Sequence, residues 1–375
     1  MTGSDASSSA AEYSNRQDLA AGRRGRPWGS LALLVALALV VGLGSALGRY
    51  FYGERPAVVH ELSGETMGTT WTARLVLPER TSLVRLRAID DTIRARLDLV
   101  NALMSSWDTT SEVSRLNLHS GTDPIPVSPE TFEVLLAARE VGEASGGAFD
   151  VTVGPAVAAW GFGPGAEVPP PLPSERLLDS LAAFVGRRLL ELDPAATTVS
   201  KKDPRVVIDL SAIAKGYGVD QVAEGLIGHG LTAFAVEVGG EVRAQGRKPD
   251  GTAWRAGVEA PVPGARRVHR TLELVDEAVA TSGDYRNFYE VDGVRYAHIL
   301  DPRTLRPVPR RGFSVSVVHA RAMYADAWAT ALSVLGPVEG IAVADREGLA
   351  AVFVVEAQAG TEDRASRAMT DRDRR

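Results

Sequence analysis

The stretch VVIDLSAIAKGYGVDQVAEGLIGHGLTAFAVEVGGEVRAQG, Val206 to Gly246, decides the fold class. Its first part, to Gly230, predicts a strand running into a helix, with Asp209 at the strand end and Lys215 near the helix start. The second part predicts two strands joined at Gly239-Gly240, a pair of residues suited to a tight hairpin turn. Working outward, TTWTARLVL predicts an opening strand, and LVRLRAIDDTIRARLDLVNALMSSW carries apolar residues at helical spacing. PETFEVLLAAREVGEASGG predicts a second helix closed by glycines, and GPGAEVPPPLPSERL a proline-rich loop. Further strands are expected at TLELV, AVATSGDY, SVSVV and AAVFVV, with a helix from Asp326 to Leu335 before the last of them. Helices and strands are mixed without strict βαβ alternation, which predicts an α+β domain with mixed sheets and packed helices.

The folded region is expected from Ala57 to Val355, with a charged, frayed tail from Glu356 to Arg375. Residues 1–27 are rich in Ser, Ala and Arg, lack apolar periodicity, and read as disordered. WGSLALLVALALVVGLGSALG, Trp28 to Gly48, carries no charge and is long enough to cross a bilayer. Arg16, Arg23, Arg24 and Arg26 precede it, so an uncleaved, single-pass anchor with the domain outside the cytoplasm is expected. A cleaved signal peptide, cut after Ala46, is the competing reading. The net charge of −6 and the lack of a basic patch with interleaved aromatics argue against a nucleic-acid partner. With no cysteine, disulfides, thiolate metal sites, a cysteine nucleophile and a lipid-bearing cysteine are all excluded.

Several stretches place polar residues beside glycine in apolar sequence. In YADAWATAL, Asp326 and Thr330 are four apart and share one helical face. They could offer two oxygens to a hard cation, or Asp326 could be an N-cap. Met67 and Gly68 in ETMGTTW suggest either a ligand's close approach or a bulged strand start. Asp150 in GGAFDVTVGP suits a turn or a ligand. Asp209 and Lys215 suit an ion pair, or a lysine at a helix start that meets phosphate. In ATSGDYRNFYEVDGVRYAHILDPRTLRPV, His298 lies at a strand end beside Asp301 and Arg303, and a proton-transfer role is plausible for it. The other five histidines read as surface or loop residues. No HExxH, GxSxG, GxGxxG or Walker motif is present.

Taken in order, ETMGTTW, MSSWDTTSEVSRLN, GGAFDVTVGP, WGFG, IDLSAIAKGY, VGGEV, ATSGDYRNF, HILDPRT and ADAWATAL resemble the ApbE-type flavin transferases, the FAD:protein FMN transferases, over Val58 to Val355. The resemblance implies a single T-fold-like domain that works mostly outside the cytoplasm. It also implies an FAD site lined by Met67, Trp107, Ala148, Phe149, Asp150, Asp209, Lys215, His298 and Leu300. It implies a Mg²⁺ site, with Mn²⁺ the alternative, at Asp326, Thr330 and the Ala212 carbonyl, with Ala329 beside them. On that reading FAD is the substrate, and a threonine hydroxyl on an acceptor with an FMN-binding domain attacks the riboflavin-side phosphorus. His298, then Asp301, are the residues expected to take its proton. Water in place of threonine would make the enzyme an FAD pyrophosphatase; an FAD carrier or a structural partner of a redox complex are the non-catalytic readings. The family's DPRTG is broken by Leu305.

Overall fold

The computed structural model describes residues 35, 37–40, 56–165, 170–261, 267–283, 288–309, 312–357 and 360–374. The expected disordered N-terminus lies outside them, as does the expected membrane helix apart from Val35 and Leu37–Val40, which are helical. Among the described residues one helix is long and apolar enough to cross a membrane, Ala322–Glu347, and it is mostly buried in the domain. Residues 56–375 form one compact unit.

The domain is organised by an eight-stranded sheet whose members pair in chain order. They are β1 (Ala57–Thr66), β2 (Thr69–Pro78), β3 (Phe234–Val238), β4 (Glu241–Gln245), β5 (Glu277–Gly283), β6 (Phe313–His319), β7 (Ala350–Ala357) and β8 (Gly360–Ala365). Every neighbouring pair is antiparallel. The sequence reading anticipates β2 to β7 but not β1, which pairs with β2 along its whole length. Two hairpins are closed by two-residue loops, Met67-Gly68 between Thr66 and Thr69, and Gly239-Gly240 between Val238 and Glu241. All four loop residues have positive φ, as the twist of such hairpins requires. Three of them are glycines that adopt it freely; Met67, at φ 49°, is held there against its preference.

The helices are α1 (Leu83–Met104), α2 (Glu112–Leu118), α3 (Pro129–Ala144), α4 (Gly154–Ala159), α5 (Glu175–Leu181), α6 (Ala214–Gly228), α7 (Ala322–Glu347) and α8 (Arg367–Asp373). Alternate residues of β2, namely Trp71, Ala73, Leu75 and Leu77, meet Ile89, Ile93 and Leu97 of α1 and the apolar face of α6. α7 and α3 fill the adjoining core with Val315 and Val317 of β6. The other sheet face is covered by the Trp254–Glu259/Val268–Leu274 hairpin and by Met369 of α8. β6 is therefore covered on both sides, which is why Ser314 and Ser316 are buried along with the valines between and after them, although SVSVV alternates in sequence.

Five expectations differ from the structure. The VVID segment pairs only through a single bridge from Val207 to Val153. Side chains and loops hold the rest of it: Asn117 bonds both the Ile208 N–H and its carbonyl, and the buried Lys201 ammonium donates to the Asn117, Pro204 and Val206 carbonyls. SERL belongs not to a loop but to α5, capped by Ser174. The tail beyond Glu356 is not frayed, because β8 pairs with β7 and Ser366 caps α8. α7 begins at Ala322, four residues before the expected start, and its regular path breaks at Gly336, where φ is 79°. His319, expected at the surface, is half-buried, and burial lowers its pKa below the usual histidine value.

α6 and α7 cap each other. α6 starts after Ile213, which offers no side-chain cap, and Asp326 of α7 supplies one by accepting the Gly216 N–H at 3.0 Å. In return Asp220 of α6 accepts the Ala322 and Met323 N–H groups that open α7, each at 3.0 Å. Gly216 allows the approach, since a Cβ there would stand 2.3 Å from the Ala322 carbonyl oxygen. Asp326 is thus a cap, but of the neighbouring helix rather than its own. Asp220 is 1% exposed and is further paired with Arg243 at 2.9 Å. Asp220→Ala is expected to lower stability by about 3 to 5 kcal/mol, because it strands a largely buried arginine and two helix-start donors. The check is a fall in urea midpoint at unchanged slope, with Asp220→Asn losing less.

Candidate active site

A cavity of about 880 Å³ opens at one end of the sheet, a volume that suits a dinucleotide-sized ligand. The tips of the two hairpins, Met67-Gly68 and Gly239, form one wall with Thr281–Gly283 at the end of β5. The C-terminal turn of α1 and the following Ser105–Trp107 form a second wall, and the Ala148–Val151 loop a third. The approach to α6, the first turns of α7 and the segment from His298 to Leu300 complete it. Of the residues expected in the site, Met67, Trp107, Ala148, Phe149, Asp150, Asp209, Ala212, Lys215, His298, Leu300, Asp326 and Thr330 all line this cavity. Asp301 and Ala329 do not. Asp301 points its carboxylate at Arg303, which grips both oxygens at 2.9 Å, and Ala329 is 1% exposed in the core.

The polar end of the cavity gathers Lys215, Glu241, Asp326, Thr330 and Ala212. Asp326 and Thr330 face it from successive turns of α7. The first internal bond of α6 runs from the Tyr217 N–H to the Ile213 carbonyl at 3.0 Å, so the Ala212 carbonyl stands one residue outside the helical ladder. Carboxylate, hydroxyl and carbonyl form an all-oxygen set that suits a hard divalent cation. Among the described residues there is no cluster of three or more His, Cys, Asp or Glu side chains placed to hold a metal. A cation here would therefore have few protein ligands and keep positions for phosphate oxygens, as Mg²⁺ prefers.

Lys215 pairs not with Asp209 but with Glu241, at 2.6 Å, and more distantly with Asp326, at 3.7 Å. Burial pulls the Lys215 pKa down, but the Asp326 and Glu241 carboxylates outweigh it and hold the ammonium charged. Burial raises the Glu241 carboxyl above its usual range, against the pull of Lys215. Sequence reasoning did not single out Glu241. The hairpin register could have found it: Glu241 is the direct partner of the inward-facing Val238, so both side chains point to the same buried side.

Two further carboxylates in the wall hold the backbone. Asp150 accepts the Thr152 N–H, the Thr152 hydroxyl and the Arg187 N–H, so the turn reading of GGAFDVTVGP holds. Asp209 accepts the Ser211 N–H at 2.9 Å and shapes the bend before α6. At the apolar end, Trp107 is 67% exposed at the rim, an open face for a flat ring. His298 follows the strand Val294–Ala297, as its strand-end position in the sequence suggests. The Phe162 ring meets it edge-on at 6.4 Å between centroids. Phe162 in turn packs on Tyr289, which stacks with Tyr296, and Tyr296 with Trp160. The WGFG segment thus supports the histidine from behind.

The turn after Asp301 keeps its form despite Leu305. The Leu305 N–H returns to the Asp301 carbonyl at 2.8 Å, and Leu305 takes φ 59°, the left-handed conformation that glycine adopts without strain. Its side chain is buried with Leu300, Ala156 and Trp160, and its carbonyl accepts the Trp160 Nε1–H at 2.7 Å.

An α+β fold whose one cavity joins an oxygen-rich polar end to an exposed tryptophan and a histidine suits an enzyme that takes a large ligand with a polar part and a flat ring. The chain belongs to the ApbE family, whose model matches residues 67–353. An FAD:protein FMN transferase from Vibrio cholerae is 40% identical over 333 residues, which cover 89% of this chain and 96% of that protein. A second, from Haemophilus influenzae, is 36% identical over 89% of this chain and 95% of its own length. The solved structure of the flavin transferase ApbE from Vibrio cholerae superposes with a TM-score of 0.76 at 39% identity, covering 84% of this chain and 99% of that one. The apo form of the flavinyl transferase ApbE from Pseudomonas stutzeri gives 0.75 at 33% identity, covering 84% and 96%.

Leu305 yields a prediction in which the usual order of two substitutions inverts. Both Leu305→Ala and Leu305→Gly lose buried apolar contacts, at about 2 to 5 kcal/mol. Glycine alone relieves the left-handed strain, so Leu305→Gly is expected to be the more stable of the two by about 1 kcal/mol. Thermal unfolding of the pair decides it.

Proposed function

We propose that this chain is a Mg²⁺-dependent FAD:protein FMN transferase that attaches FMN to a threonine hydroxyl of an acceptor protein. The observation that carries this reading is the meeting, in one cavity, of the Asp326–Thr330 face of α7 with His298 and Trp107. The kinship to proteins named for this activity supports it.

FAD would lie extended, its flavin against Trp107 and Met67 and its pyrophosphate toward α6 and α7. Asp326, Thr330 and the Ala212 carbonyl would hold the cation, with Asp326 keeping one oxygen on the Gly216 N–H for orientation. A bound Mg²⁺ supplies charge neutralisation of the pyrophosphate and Lewis-acid activation of its phosphorus. The acceptor hydroxyl oxygen attacks the phosphorus on the riboflavin side. The bond from that phosphorus to the bridging oxygen breaks, AMP leaves, and a phosphoester to riboflavin remains. His298, which lines the cavity, would accept the hydroxyl proton in preference to Asp301, which lies outside the cavity and is held by Arg303. Lys215 would steady phosphate charge from beside Asp326.

The charge-free Trp28–Gly48 segment, preceded by Arg16, Arg23, Arg24 and Arg26, supports a single-pass anchor with the domain outside the cytoplasm. The acceptor on this reading is an exported protein with an FMN-binding domain.

The test incubates the full-length chain in detergent with FAD, Mg²⁺ and a purified exported FMN-binding domain, and weighs the acceptor. The expected outcome is a mass gain of one FMN less water, with AMP released, and at least a hundredfold loss of rate in Asp326→Ala. Free FMN and AMP with no mass gain would replace transfer by hydrolysis. FAD bound without either product would replace both by carriage.

A further inference from the structure

The buried pair between Lys215 and Glu241 has no part in the chemistry just described beyond placing a positive charge. Its geometry nevertheless bears on the cation site. Asp326 commits Oδ2 to the Gly216 N–H at 3.0 Å. Oδ1 is the oxygen left for a cation, and the Lys215 ammonium stands 3.7 Å from it, too far for a good hydrogen bond. Glu241 holds that ammonium at 2.6 Å through Oε1. Its other oxygen, Oε2, is buried and has no hydrogen-bond partner among the described residues. The carboxylate is thus fixed in the site by its one ionic contact, on a side chain that is only 3% exposed.

Charge makes the arrangement consequential. Lys215 lies between two carboxylates, so with all three groups ionised the side chains carry one net negative charge. Without Glu241 the sum would be zero, and the ammonium would have a single partner left, Asp326. A lysine on a flexible four-carbon stem would close that gap and cover Oδ1. An ammonium is then a competitor for the divalent ion, since both seek the same anionic oxygen.

We propose that Glu241 is a positioning residue that draws Lys215 away from Asp326 and so keeps Oδ1 open to the divalent cation. This rests on the cation site assigned above to Asp326, Thr330 and Ala212. Glu241 itself stays on the lysine and is not a ligand of the ion. β4 delivers it there because the Gly239-Gly240 loop turns the strand directly beneath the start of α6, where a Cβ on Gly239 would touch the Lys215 chain at 3.3 Å.

The experiment titrates the full-length chain in detergent with Mn²⁺ and reads free ion by electron paramagnetic resonance, without FAD and without turnover. Near-ultraviolet circular dichroism checks that each variant is folded. Glu241→Gln is expected to bind Mn²⁺ about tenfold or more weakly than the natural chain, the scale of an outer-shell effect. The double variant Glu241→Gln with Lys215→Gln is expected to return to within about threefold, because the competitor has gone with its partner. Lys215→Gln alone, which covers the case of a single Glu241 variant that does not fold, is expected to bind at least as tightly as the natural chain. A purely architectural ion pair predicts otherwise: equal Mn²⁺ affinity in Glu241→Gln, or no recovery in the double variant, and either result overturns the proposal. Weaker binding in Lys215→Gln overturns it as well. Asp326→Ala separates this from failure of the site assignment, since undiminished binding in that variant removes the cation site itself and the proposal with it.

Discussion

Two helix starts in this protein are each completed by a carboxylate from the other helix. Asp326 closes the start of α6, and Asp220 closes the start of α7. A helix start leaves backbone donors without partners, and burying them unpaired costs about 1 to 3 kcal/mol each. Neither helix brings its own side-chain cap, so neither start is satisfied unless the two cross at the glycine contact. The constraint fixes the register of one helix on the other, and with it the placement of Ala212, Lys215, Asp326 and Thr330. Asp326 thus serves architecture with one oxygen and, on the proposed reading, chemistry with the other: the oxygen that caps sets the aim of the second.

The same economy runs through the walls. Asp150 and Asp209 spend their carboxylates on backbone N–H groups, which makes the loops that carry Phe149 and Ala212 stiff. Met67 accepts a left-handed backbone at a hairpin tip, and its terminal methyl reaches across to within 3.1 Å of where a Cβ on Gly218 would stand. Strain at the rim of a cavity persists only where the surrounding pairing enforces it, here the unbroken β1–β2 ladder.

Much of this was legible in the sequence. Helical spacing located α1, closing glycines the end of α3, the run after Asp209 the helix α6, and a glycine pair the β3–β4 turn. The ordered motifs brought twelve of the fourteen expected site residues to one cavity. What was not legible depended on partners distant in the chain. VVID carries a strand's composition, yet Asn117, Lys201 and Val151 satisfy its backbone instead of a neighbouring strand. The Asp209–Lys215 pairing suggested by their spacing gives way to Glu241, which the fold brings from across a hairpin. Asp301 is near His298 in sequence, but the turn that Arg303 stabilises faces it elsewhere. The charged composition after Glu356 resembles a loose end, but GTEDRA pairs as the outermost strand, where charged side chains stay in solvent.

That outermost strand has a consequence for where the domain ends. The family match stops at residue 353, inside β7, whose AVFVV core is among the most apolar runs in the domain. β8 covers it with Thr361, Glu362, Asp363 and Arg364, and a further edge of that kind resists sheet-to-sheet association because it is charged and short. A fragment cut at the family boundary would expose the open backbone of β7 as a template for another chain. β8 guards that edge against self-assembly, and it sits at the opposite side of the sheet from β1, whose outer edge is unpaired among the described residues and carries His60, Glu61 and Glu65.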